Sequence, residues 1–163
     1  MLPDISYLFE EGIPRQPLST LIGLSYAEKS QLAELSNHAK TVAPSLAREL
    51  ATRIQEFSSL NTGSLVNRAD MELYLRDWFL QLFQCREEKF IGFQEYVMRI
   101  PINLVITGID VILAYGHEIT QRSLNPEDAT RAFHKALALK IASEQLQSQA
   151  DESQHFYEMM LLD

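Results

Sequence analysis

Apolar positions recur at helical spacing along most of the chain, and the densest run fills residues 101–119. Pro101 stands at the first turn, where a missing N–H costs nothing, and the aliphatic side chains after it cover most of a helical circumference. Asn103, Thr107, Asp110 and His117 fall at offsets of 0, 4, 7 and 14, which 3.6 residues per turn gathers into one narrow polar stripe. A helix so apolar must be covered on more than one side. The pattern therefore predicts that it faces both its own core and another chain, and that the rest of the fold is arranged around it.

Other helices are expected on either side. Ser25 and Glu28 have capping-box spacing and predict a helix over about 25–40. Pro44 then kinks that helix or opens a second one, on which Leu46, Leu50, Ile54 and Phe57 share a face, and residues 58–64 form the following loop. Asn67 and Asp70 repeat the start signal. Behind them Met71, Tyr74, Leu75, Trp78, Phe79, Leu82 and Phe83 build a broad aromatic face. A further helix is predicted over 90–99, ending before Pro101.

Asn125, Pro126, Glu127 and Asp128 combine a cap, a first-turn proline and two acids suited to the helix dipole. The helix they open carries Ala129, Phe133, Ala136, Leu137 and Ile141 inward and meets no Gly or Pro before Asp163. Residues 147–154 are almost wholly polar, so Phe156, Met159 and Met160 must meet something other than this core. No stretch alternates as a strand would, and the fold class is all-α. The expected division is an N-terminal extension over 1–24, broken by Gly12, Pro14 and Pro17 after a short helix near 4–11, a helical body over 25–147 and a connector helix over 148–163.

At 163 residues and 46% hydrophobic content, the chain has enough apolar side chains for one sizeable core. A net charge of −8 works against binding nucleic acid or an anionic membrane surface. The apolar run over 100–113 is too short for a membrane span and contains Asp110. The lone Cys85 has no disulfide partner, and the first residues lack the basic and apolar character of an export signal, which together imply a cytoplasmic protein.

Reaction chemistry is sparse. Glu152 and His155 have the Glu-x-x-His spacing of di-iron bundles, but no second pair exists, and two solvated residues account for them. Asp110 and His117 share a face about 10 Å apart along the axis, as a hydrogen-bonded pair at an interface would. His38 and His134 lack the cysteine or carboxylate clustering of a zinc site. Arg86 could lower the Cys85 pKa, yet no base is adjacent. There is no phosphate loop, nucleophile elbow or dinucleotide fingerprint, so no enzyme activity is expected.

The segment 78–83, the Ile91-Gly92 pair opening a helix that ends at Ile100-Pro101, the aliphatic helix and the long last helix together resemble the sensor-globin family. That family contains the input domains of globin-coupled sensors and the non-haem sensor halves of stressosome proteins. The resemblance covers residues 25–147 and implies a globin-like helical domain that dimerises as a four-helix bundle. It also implies a regulatory role, with the signal leaving through the last helix towards an output module or partner. Haem-binding members carry the proximal histidine at the position of Glu95, and a carboxylate is a poor replacement for imidazole. The resemblance thus implies no cofactor, with Trp78, Phe79, Phe83, Phe90, Phe93, Glu95 and Tyr96 around the space haem would take.

The alternative is a haem-binding oxygen or redox sensor, such as the input domain of a diguanylate cyclase or chemotaxis transducer, using His117, His134 or Cys85. A minor alternative, suggested by Cys85, is a phycobiliprotein-like or helical adaptor protein. The homodimer interface implied by the bundle comprises Ile102, Val105, Ile109, Asp110, Ile112, Leu113, His117, Phe133 and Leu137.

Overall fold

The computed structural model of the protein describes residues 23–59, 67–84 and 100–161, and every regular element among them is a helix. In chain order these are α1 Tyr26–Glu34, α2 Ser36–Ser59, α3 Arg68–Gln84, α4 Ile102–Ile106, α5 Ile109–Thr120 and α6 Pro126–Leu161. The expected helices near 4–11 and over 90–99 lie outside the described residues, as does most of the loop expected over 58–64.

The capping box forms as the spacing requires. Ser25 Oγ accepts from the Glu28 amide, and the Glu28 carboxylate accepts from the Ser25 amide, both at 3.1 Å. The helix does not reach residue 40, however. Leu35 donates its amide to Leu32 three residues back, closing a tight turn that puts both leucines into the core, and α2 starts at once at Ser36. Pro44 therefore does not open a helix; α2 runs through it. Pro44 and Lys40 are both exposed, so water can take the Lys40 carbonyl that the proline leaves without a donor.

On α2, Ala39, Ala43, Ala47 and Ala51 repeat every four residues and are all buried, flanked by Leu46, Leu50 and Ile54. Small side chains along a ridge permit close helix packing, and α2 with α3 is the most extensive helix pair. Phe57 does not join the face and is 45% exposed. All seven residues expected on the aromatic face of α3 are buried, and Asn67 Oδ1 caps the helix by accepting from the Ala69 amide at 2.9 Å.

The helix expected over 101–119 is two helices. Thr107 and Gly108 interrupt it with amides bonded to Leu104 and Val105, three residues back, and Gly108 is seated against Leu50 of α2. A β-carbon at Gly108 would lie 2.1 Å from Leu50 Cδ1, so the absence of a side chain there allows α2 and the start of α5 to meet. The fold is not centred on this segment alone: α6 packs against α1, α3, α4 and α5, while α5 contacts α2 and α6.

Asn125 stands just before α6, its carbonyl accepting from the Ala129 amide at 3.0 Å and its amide side chain donating to Asp128 at 2.7 Å, and Glu127 and Asp128 occupy the first turn. At 36 residues α6 is about 54 Å long. Among its described side chains the buried ones, Ala129, Ala132, Phe133, Ala136 and Leu137, all fall in the first third. Residues 145–149 and 158–161 are exposed, so the far end of the helix projects beyond the core.

Candidate functional site

The body and the projecting part of α6 meet at a polar seam between α3 and α6. Trp78 is buried by the aromatic periodicity of α3, and burial obliges its indole N–H to find an acceptor. It finds Glu144, one carboxylate oxygen at 3.0 Å and the other at 2.9 Å. One turn earlier on α6, Lys140 donates to Gln81 Oε1, lies 4.0 Å from Glu144 and sits 5.1 Å from the centroid of the Trp78 ring. Burial pushes the Lys140 ammonium down to about 8, with Glu144 pulling the other way. A carboxylate, an ammonium, an amide and an indole thus form a latch at the point where α6 leaves the core. Sequence reasoning singled out Trp78 as a core residue and missed Gln81, Lys140 and Glu144. The readable signal was the i,i+4 pair Lys140 and Glu144 on a helix facing a tryptophan.

Of the residues expected around a cavity, Trp78, Phe79 and Phe83 are buried together, while Phe90, Phe93, Glu95 and Tyr96 lie outside the described residues. The rings pack on one another, Phe79 to Phe83 at 5.3 Å between centroids, Phe83 to Phe133 at 5.6 Å and Phe79 to Phe133 at 6.5 Å. These three rings therefore share direct edge, tilted and stacked contacts. His117 and His134 are both exposed, and Cys85 lies outside the described residues. Among the described residues no three His, Cys, Asp or Glu side chains gather as metal ligands, and no helix is long and apolar enough to cross a membrane. Glu152 and His155 lie on α6, and their side chains fall outside the described residues.

The expected interface divides. Ile102, Val105, Ile112, Phe133 and Leu137 are buried in the subunit's own core and have no surface left for a partner. Ile109 is half-buried against that core. What α5 presents outward is Asp110, Leu113, Ala114 and His117, a stripe at i, i+3, i+4 and i+7, with Leu113 39% exposed. Asp110 pairs within the chain. Arg53 of α2 donates to both its oxygens, at 2.9 and 3.2 Å, and to the Thr107 carbonyl. The guanidinium holds the Asp110 carboxyl below the usual range.

A cleft of about 230 Å³ lies between α1 and α6, lined by Ala27, Glu28, Gln31, Asp128, Arg131 and Lys135. Lys135 binds Glu28 at 3.1 Å and Arg131 lies 3.6 Å from Asp128, so each cation is matched by an acid and the cleft exerts no net pull on a charged ligand. No family model matches the chain, and no curated protein or solved structure matches it.

Proposed function

We propose that the chain is a non-catalytic sensor or regulatory domain with a globin-like fold and no haem, which dimerises and passes a signal outward along α6. The observation that carries this reading is the division of α6. Its first third is built into the core, residues 145–149 and 158–161 further along it are exposed, and the Trp78–Glu144 contact lies between them. A helix joined to a core in this way transmits any repacking of that core as a displacement of its far end. A stimulus acts by binding one packing arrangement better than another. The mutual packing of Phe79, Phe83 and Phe133 and the exposed positions of His117 and His134 support a domain without haem. The outward stripe of α5, centred on Leu113 and flanked by α6, supplies the apolar surface for a four-helix bundle between two copies.

Light scattering tests the dimer. Leu113→Glu places a charge on that stripe without entering the core and is expected to give folded monomers. A wild-type monomer, or a Leu113→Glu dimer, overturns the interface. Absorption of protein prepared with excess haem is expected to show no Soret band, and a band abolished by replacing one histidine or Cys85 overturns the haem-free reading.

A further inference from the structure

We infer that the Lys140 side chain is a modification site for carbon dioxide, and that the carbamate formed there shifts the latch between α3 and α6. The inference rests on reading α6 as the outgoing element and names a stimulus for it. The surroundings of the amine carry it. Lys140 is set among an indole ring, an amide and a carboxylate, with 13% of its side chain exposed. A small uncharged reagent reaches such an amine more readily than a bulky or charged one. Burial also favours the neutral amine, which is the nucleophile. With the ammonium held down to about 8, about a quarter is free amine at about pH 7.5, against about one part in a thousand for an ordinary lysine.

The step balances with water as the only proton acceptor. The Nζ lone pair attacks the carbon of carbon dioxide, an N–C bond forms, one C=O π pair moves onto oxygen, and a proton leaves the nitrogen. An anion thus replaces the cation that stands 4.0 Å from Glu144, and attraction turns to repulsion where little water screens it. Glu144 has a way out, since 24% of its side chain is exposed and residues 145–149 beyond it are exposed as well. The carbamate oxygens accept from the indole N–H that Glu144 vacates, and from the Gln81 amide once it turns its N–H groups towards them. The tie between α3 and α6 moves one turn back along α6, and the helix beyond Lys140 is released.

The whole chain is equilibrated at that pH with isotopically labelled bicarbonate, or with sodium chloride of equal ionic strength. Carbamates are trapped by ethylation with triethyloxonium and located by mass spectrometry of a digest. Label is expected on Lys140 at no less than about tenfold the level on Lys29, Lys40 or Lys135. Trp78 is the only tryptophan of the chain, so its fluorescence reports on the latch and is expected to change as carbon dioxide rises. Lys140→Arg keeps a cation beside Glu144 and is expected to abolish that change. Glu144→Gln leaves an oxygen for the indole but no charge to repel; it is expected to take the label and lose at least about two-thirds of the fluorescence change. No label on Lys140, label spread evenly over the lysines, or a fluorescence change that survives Lys140→Arg overturns the inference. So does label on Lys140 with unchanged fluorescence. A monomeric wild-type chain that gives both signals overturns the dimer interface at Leu113 and leaves this inference standing.

Discussion

A β-carbon on Gly116 would lie 2.1 and 2.2 Å from two atoms of the Phe133 ring, so α5 and α6 meet where one helix presents only a hydrogen to the tip of an aromatic ring. Phe133 is 1% exposed and packed between Phe79 and Phe83, so it has no room to retreat. Gly116→Ala gains up to about 1 kcal/mol of helix propensity, but contacts this short with a rigid ring put the overpacking cost at the upper end of its usual range, about 3 kcal/mol. The expected result is a net loss of about 2 kcal/mol, seen as a Tm lower by about 4–8 °C. Phe133→Leu added to Gly116→Ala is expected to recover part of it. An unchanged Tm for the single variant would mean the two helices are further apart.

Gly108→Ala meets Leu50 Cδ1 at 2.1 Å, but this is the end of a flexible side chain. A change of rotamer relieves most of the clash. Its cost is expected to be about 1 kcal/mol, smaller than that at Gly116, and urea unfolding of the two variants side by side checks the ranking.

Lys140 makes stability depend on pH in the alkaline range. Its folded pKa of about 8 lies below the ordinary lysine value of 10.5, so the unfolded chain binds the extra proton between these values. The penalty for holding a charged Lys140 inside is full below about 8 and is relieved as pH rises through it. Compared with Lys140→Met, the wild-type protein is expected to gain roughly 2 kcal/mol between pH 7 and pH 10. Parallel stability curves for the two proteins would show that Lys140 keeps an ordinary pKa.

His38 has a buried Nε2 atom with no hydrogen-bond partner. An unmade hydrogen bond at a buried nitrogen costs about 1–3 kcal/mol, so an apolar side chain of similar length removes a liability. His38→Met is expected to be neutral or to raise stability by about 1 kcal/mol, measured by chemical unfolding. A clear loss would reveal a partner that the imidazole acquires in solution.

Local signals carried much of the helical reading. Ser25 with Glu28, Asn67, and Asn125 with Pro126 each start a helix where the pattern places one, because caps act within four residues and need no tertiary partner. The aromatic face of α3 was legible for a similar reason: its 3.6-residue period survives any choice of neighbour. Phe57 kept the period but lies at the end of α2 with 45% of its surface exposed, so periodicity alone did not bury it. The latch was not legible, since Trp78 and Glu144 are 66 residues apart and only the packing of α3 on α6 brings them together.

The amino-acid order by itself determined that the chain is helical, where several helices begin and which side chains are too apolar for water. Those properties come from backbone hydrogen bonds and side-chain periods within a few turns. Tertiary packing decided the rest: that a helix breaks at Leu35 and another at Gly108, that Phe133 and Ile112 serve the subunit's own core, and that Lys140 lies beneath an indole. Each depends on how closely two distant helices approach, and that distance is set by both surfaces at once.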